Sequence, residues 1–221
     1  MTDSPNTQPR LVQGPVGGGL LRLSAPVILG ITASLGAGLL EAFFLAQIST
    51  TTLAAYSFTF PVTGALMSIS LGISIGLSSV LARAVGSGDH DQIRRLASDG
   101  ISLVALVMIL VSVLGLFTIE PLFVALGADE TTLPLIVDYM SVYYWSLLFL
   151  AVPSLGANAL RATGDARISG TIMVSGAILH IMISPLLIFG LFGLPALGLE
   201  GAAWAHPVSY THLTLPTKRI V

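Results

Sequence analysis

Thirty consecutive residues, Leu53 to Ala82, pass without a charged side chain. A stretch of that length points to lipid, since crossing the hydrocarbon takes roughly 20 apolar residues in a helix that satisfies its own backbone hydrogen bonds. The chain holds several more. Ile101–Ile119, Tyr139–Leu160 and Ile168–Phe189 also lack Asp, Glu, Lys and Arg, and Ala25–Ile48 carries Glu41 alone. A sixth run opens at Gly198 with GLEGAAWA. Hydrophobic residues make up 54 % and charged residues 9 %, with a mean hydropathy of +0.90, which suits a bilayer and not water. The fold class read from this is all-α: a polytopic transmembrane helix bundle with spans near 25–48, 53–82, 98–119, 135–160 and 168–190, and the start of a sixth at 198.

Basic residues fall in alternate gaps between these runs. Arg10 and Arg22 precede the first, Arg83, Arg94 and Arg95 follow the second, and Arg161 and Arg167 follow the fourth. The first, third and fifth gaps carry no basic residue, and the third holds Glu120, Asp129 and Glu130. Basic loops resist translocation, so the arginine-bearing gaps are assigned to the cytoplasmic side, and the N-terminus with them. Residues 1–22 read as a disordered cytoplasmic lead-in, polar and rich in Pro and Gly, without the basic start and apolar centre of a signal peptide. The absence of cysteine excludes disulfides and thiolate metal sites. No metal site, no cofactor and no nucleic-acid partner is read from the chain.

Ser49–Thr52 reads as a tight outer link between the first two spans. The longer inner segment Arg83–Gly100 reads as a turn plus a short interfacial amphipathic helix with Ile93 and Leu96 on its apolar side. Gly30, Gly36 and Gly38 in the first span and Gly72 and Gly76 in the second are expected to let helices approach closely. Pro26, Pro61, Pro153 and Pro185 lie in or at the ends of spans and are candidate hinges. From Pro207 the character changes, because PVSYTHLTLPTKRIV brings turn formers, threonines and the one lysine, Lys218, into an apolar helix start. Residues 207–221, similar to a translated sequencing adapter, are read as a non-native tail, leaving 23–206 as the transmembrane unit of a longer protein.

Glu41 most needs explaining, because a carboxyl inside a span is costly and must be balanced by a proton, a cation or a partner. His180 is the histidine within a complete span. Counting from the inner ends at 1.5 Å per residue, Glu41 lies about 24 Å along the first span and His180 about 18 Å along the fifth, an offset that side chains can bridge if the helices adjoin. The two are read as a proton-linked cation-coupling pair. The plainer alternatives are a structural acid and a histidine bonded to a backbone carbonyl. Gln47, Tyr139, Tyr143, Tyr144, Asn158 and Ser184 are candidate cavity-lining groups, and Tyr143, Tyr144 and Trp145 offer faces for a flat organic cation, against the plainer reading of helix packing. Gly72, Ser74 and Gly76 spell the nucleophile elbow G-x-S-x-G, but inside an uncharged span and without the strand-to-helix turn that motif needs. The chain is therefore not read as an enzyme.

Four segments carry a family resemblance, in order and on the assigned sides: EAFFLAQISTTTLAA, LARAVGSGDHDQIRR, NALRATGDAR and PLLIFGLFGLPALGLEGAAWA. Through them, residues 20–206 resemble the N-terminal half of the multidrug and toxic compound extrusion (MATE) transporters. The resemblance implies the N-terminal six-helix lobe of a twelve-helix antiporter, its sixth helix truncated and its C-terminal lobe missing. In such a carrier, inward proton or sodium flow drives export of amphipathic, mostly cationic compounds. It also implies that Glu41 stands where the family has a first-helix aspartate implicated in cation coupling, one methylene longer. In the fifth helix many members read Asn, three residues, then Asp-Pro; here stand His180 and Ser184-Pro185. Imidazole in place of a carboxylate disfavours sodium, so the proton is the expected coupling ion ahead of Na+. Arg161, Gly164 and Asp165 match the family's inner-loop pattern after the fourth helix and are read as architectural.

The expected function is thus a cation-coupled exporter working by alternating access in a bacterial inner membrane, with a small organic substrate and the lipid bilayer as partners. An exporter or flippase of lipid-linked saccharides from the same superfamily is the first alternative, set back by spans that lack basic residues to hold phosphate. A non-transporting membrane scaffold is the second, and a carboxyl within a span weighs against it.

Overall fold

The computed structural model of the protein describes residues 16–87, 90–162 and 166–217. They form six helices: α1 (Val16–Ile48), α2 (Thr50–Ser87), α3 (His90–Ala125), α4 (Leu133–Ala162), α5 (Ala166–Phe189) and α6 (Gly198–Thr217), with a 3-10 turn, Leu191–Gly193, before the last. No strand occurs among the described residues. The all-helical architecture expected from the apolar runs is the one the chain adopts.

Many large apolar side chains face outward, others such as Phe123, Leu45 and Met108 fill the core, and a smaller set of polar groups is buried among them. Phe117 is 82 % exposed and Trp145 71 %, whereas Glu41, Thr59, Ser74, Ser169, His180 and Ser184 are buried. Lipid accepts the exposed apolar groups without cost and excludes the polar ones, so an apolar outer surface with its polar groups kept inside suits a bilayer. Among the described residues, Ser24–Ile48, Thr50–Ala84, Asp91–Ala125 and Ile168–Phe189 are long and apolar enough to cross it. The 30 residues of α4 reach about 45 Å, also sufficient by length.

Helix α1 packs chiefly on α5, α5 on α6, α6 on α4, and α4 on both α2 and α3. Two glycines permit close approach of one helix to the backbone of another. A Cβ on Gly170 would stand 2.7 Å from the Pro26 carbonyl oxygen of α1, and one on Gly201 would stand 2.6 Å from the Leu187 carbonyl oxygen of α5. Gly30 of α1 likewise meets Met173. By contrast, Gly36, Gly38, Gly72 and Gly76, expected to serve the same purpose, have nothing within 4 Å of where a Cβ would be. Composition marks small residues but does not say which face of a helix meets a neighbour.

Local chemistry sets the helix ends. The link between α1 and α2 shrinks from the expected Ser49–Thr52 to Ser49 alone, because Ser49 Oγ accepts the Thr52 N–H at 3.0 Å and caps α2. Helix α3 closes with Gly127 in the left-handed region at φ 94°, the Ala128 N–H reaching the Phe123 carbonyl at 2.9 Å and the Gly127 N–H the Val124 carbonyl at 3.0 Å. Asp129 then accepts the N–H groups of Thr131 at 3.2 Å and Thr132 at 2.8 Å ahead of α4.

Two expectations are corrected here. The interfacial helix expected within 83–100 is not a separate element: α2 runs to Ser87 and α3 begins at His90, so Ile93 and Leu96 lie in the first turns of α3. Asp91 in that first turn favours a helix start there. Nor does the sixth helix stop at Pro207. Pro207 is buried, α6 continues to Thr217, and the Ser209 hydroxyl donates to the Ala205 carbonyl at 2.7 Å. One proline removes one backbone bond, which packing of α6 on α4 and α5 outweighs. Pro26, Pro61 and Pro185 lie inside α1, α2 and α5, which continue through them, and Pro153 falls within the bounds of α4.

Candidate functional site

Glu41 sits 1 % exposed in the interior, and three side chains from three other helices converge on one of its oxygens. The Tyr56 hydroxyl donates to Oε2 at 2.9 Å. His180 Nε2 lies 3.5 Å and His206 Nε2 3.6 Å from the same atom. The two imidazoles stack, with ring centres 4.4 Å apart and planes 27° from parallel. Glu41 Oε1 and both ring nitrogens of His180 have no hydrogen-bond partner among the described residues. The carboxyl is therefore held through one oxygen while the other is buried and unpaired among the described residues.

The residues meet because they lie at one depth. At 1.5 Å per residue, Glu41 is about 10 Å from the Ile48 end of α1, Tyr56 about 9 Å from the start of α2, His180 about 14 Å from the end of α5, and His206 about 12 Å from the start of α6. The contacts at Gly170 and Gly201 hold α1, α5 and α6 close enough for their side chains to touch.

Beside the carboxyl opens a cavity of about 240 Å³ lined by Tyr56, Phe60, Thr63, Gly64, Met67, Tyr139, Tyr143 and His206. Its aromatic rings form a continuous wall. Tyr56 and Tyr139 meet edge to face at 5.7 Å, Tyr139 and Tyr143 stack at 6.0 Å, and Tyr143 meets His206 edge to face at 6.2 Å. A cleft of about 110 Å³ shares Met67 and Tyr143 with it. Among the described residues, no lysine or arginine lines either space.

Glu41 and His180 adjoin as the helix count allowed, and Tyr139 and Tyr143 line the cavity. Ser184, one turn beyond His180, is buried, and its hydroxyl has no hydrogen-bond partner among the described residues. Tyr144 does not line the cavity: one residue turns the helix by about 100°, so its ring packs over Gly115 of α3. The Tyr144 carbonyl accepts the Ser112 hydroxyl at 2.8 Å. Trp145 faces outward, so the three-aromatic stacking platform reduces to Tyr143. Gln47 is exposed at the end of α1. The side chains of Asn158 and Arg161, and residues Gly164 and Asp165, lie outside what the structure describes.

Tyr56 and His206 were not singled out from the sequence. His206 was hidden by treating the sixth run as cut short at that residue; its depth, counted from Gly198, is the signal that would have found it.

The MatE family profile matches residues 26–186. A FAD transporter of Shewanella oneidensis is 43 % identical over 195 residues, 88 % of this chain and 43 % of that one. A multidrug export protein of Staphylococcus aureus is 28 % identical over 180 residues, 80 % of this chain and 40 % of that one. Among solved structures, a MOP superfamily transporter from Pyrococcus furiosus superposes with a TM-score of 0.86 at 25 % identity, covering 96 % of this chain and 46 % of the other. A Vibrio cholerae MATE transporter superposes with a TM-score of 0.85 at 25 % identity, covering 90 % and 45 %. The chain spans less than half the length of each of these relatives. Helices, length and family match agree: the chain belongs to the MatE family of multi-pass membrane transporters, and its fold is that of their N-terminal half.

Proposed function

We propose that this chain is the cation-coupling lobe of an exporter that works by alternating access, with Glu41 as the proton-carrying group. The observation that carries the reading is the buried Glu41 carboxyl, tied to Tyr56 and flanked by His180 and His206 at the edge of a cavity. A charged Glu41 accepts from Tyr56 and draws α1, α2, α5 and α6 together. A protonated Glu41 loses that charge and donates to one of the imidazoles. Adding or removing one proton thus changes a contact shared by four helices. The prolines within α1, α2 and α5 give those helices places to bend.

The substrate is a small amphipathic organic compound with a flat ring, taken up against Tyr139 and Tyr143. Basic gaps on alternate sides support a cytoplasmic N-terminus in a bacterial inner membrane, and the lobe performs transport without enzymatic chemistry. Na+ finds a poor site here, since it prefers oxygen donors and two of the groups on Glu41 offer ring nitrogen.

A second reading names a flavin dinucleotide as cargo. It is favoured by the 43 % identity to a protein named as a FAD transporter, together with the tyrosine wall on which a flat ring can stack. Among the described residues the cavity has no lysine or arginine for the pyrophosphate, which assigns that charge to the other lobe.

The test is reconstitution of a two-lobed carrier with this chain as its N-terminal half in liposomes, measuring movement of an aromatic cation and of FAD under an imposed pH gradient. Glu41→Gln is expected to abolish the dependence on that gradient. Gradient dependence equal in the two proteins would sink the coupling role, and the cargo that moves decides between the substrate readings.

A further inference from the structure

The geometry points to a binding site for a zinc-class divalent cation built from Glu41, His180 and His206, one ligand each from α1, α5 and α6. The three residues place one donor atom each within 4.8 Å of one another. A metal–ligand distance of roughly 2.0–2.2 Å in a tetrahedral site puts donor atoms roughly 3.3–3.6 Å apart. The Nε2 atoms of His180 and His206 stand 3.5 and 3.6 Å from Glu41 Oε2, weak as hydrogen bonds and close to that tetrahedral edge. The remaining edge, between the imidazoles, lies within 4.8 Å, and the stacked rings must turn for both nitrogens to aim at one ion.

The second, independent observation is the state of the donors. Both ring nitrogens of His180 and Glu41 Oε1 are buried without hydrogen-bond partners among the described residues, and leaving such groups unsatisfied is costly. A metal ion takes one His180 ring nitrogen and a carboxylate oxygen together, the other ring nitrogen then carrying the N–H. Tyr56, donating to the carboxylate at 2.9 Å, then serves as the outer partner that orients a metal-bound Glu. Two imidazoles and one carboxylate suit zinc-class ions and not Na+, Mg2+ or Ca2+, which prefer more numerous oxygen donors. His206 lines the tyrosine cavity and is 20 % exposed at its side chain, giving the ion a way in and leaving a fourth position open to water.

The consequence is inhibition. An ion held by α1, α5 and α6 pins three helices and occupies the lone pairs through which Glu41 takes a proton. That consequence rests on the coupling role proposed above; the binding of the ion does not.

The experiment uses the purified protein in detergent with Co2+ as a visible probe of coordination. Expected are tetrahedral d–d absorption bands saturating at one ion per chain, loss of those bands on adding Zn2+, and a rise in the thermal unfolding midpoint with Zn2+. His180→Gln and His206→Gln, checked for unchanged helical content without metal, should each weaken Co2+ binding by more than about 100-fold, beyond what loss of an outer partner costs. Tyr56→Phe should weaken it by less. A double variant at the other two histidines, His90→Gln with His212→Gln, should bind as the parent does.

Absent tetrahedral bands, or bands that survive in His180→Gln and His206→Gln, overturn the site. In the liposome assay Zn2+ should slow efflux, at concentrations raised in His206→Gln by the factor seen for Co2+. Zn2+-insensitive efflux from a protein that shows the bands overturns the inhibition and upholds the site. Loss of gradient coupling as an idea, with the bands intact, leaves the metal site standing on its own.

Discussion

Tyr56 of α2 donates its hydroxyl proton to Glu41 Oε2 of α1 across 2.9 Å, joining the two arms of a hairpin whose link is Ser49. A hydrogen bond to an ionised group contributes about 1.5–3 kcal/mol when buried. Tyr56→Phe keeps the ring and its edge contact with Tyr139 while deleting that bond. The expected outcome is a loss of about 2 kcal/mol in unfolding free energy measured in detergent. An unchanged unfolding midpoint would mean that the histidines alone hold the carboxyl.

Much of this site was legible beforehand, and the reason is geometric. Uncharged runs announce spans, and counting residues along them gives depth, which was enough to bring Glu41 and His180 within reach before any contact was known. What a linear reading lacks is azimuth. Tyr143 and Tyr144 are neighbours in sequence, yet one lines the cavity and the other packs on α3. The same gap explains Gly36 and Gly72, which face no neighbour, while Gly170 and Gly201, not singled out, carry the close helix approaches. His206 was lost for a different reason: the composition beyond Pro207 argued against a helix that packing nevertheless continues.

Those glycines make a paired prediction. On Gly170 a Cβ meets the Pro26 backbone, which cannot swing aside as a side chain would. Gly170→Ala should therefore destabilise by about 1–3 kcal/mol through overpacking. Gly36 meets nothing, so Gly36→Ala should be neutral or stabilising by up to about 1 kcal/mol, the helical advantage of alanine. Unfolding of the two variants side by side checks both, and equal effects would refute the α1–α5 contact.

Asp129 gives a pH signature outside the membrane spans. The Thr132 hydroxyl, at 2.7 Å, and then the Thr132 N–H, at 2.8 Å, stabilise its charged form and lower its pKa from the ordinary 3.8 to about 2. Because the folded value is the lower one, the contribution is complete above the unfolded value and is lost as pH falls from about 4 through about 2. Asp129→Asn should thus be less stable than the parent at pH 6, with the difference shrinking as pH approaches 2. A difference that stays constant over that range would show that the charge of Asp129 contributes nothing.

The cavity wall yields the sharpest contrast, because two positions two residues apart on one helix should behave oppositely. Tyr143 stacks on Tyr139 at 6.0 Å and borders both spaces, while Trp145 is 71 % exposed on the outer face of α4. If a flat ring is bound against the tyrosines, Tyr143→Ala removes an aromatic contact that contributes about 0.5–1.5 kcal/mol beyond burial, a loss of up to about tenfold in apparent affinity. Tyr143→Phe keeps the ring and should keep the affinity. Trp145→Ala removes a larger aromatic and should leave affinity alone, since that side chain lines neither space. The measurement is the substrate concentration for half-maximal efflux in the reconstituted carrier. Weakening by Trp145→Ala alone would move the binding face to the outside of α4 and take the cavity out of the transport path.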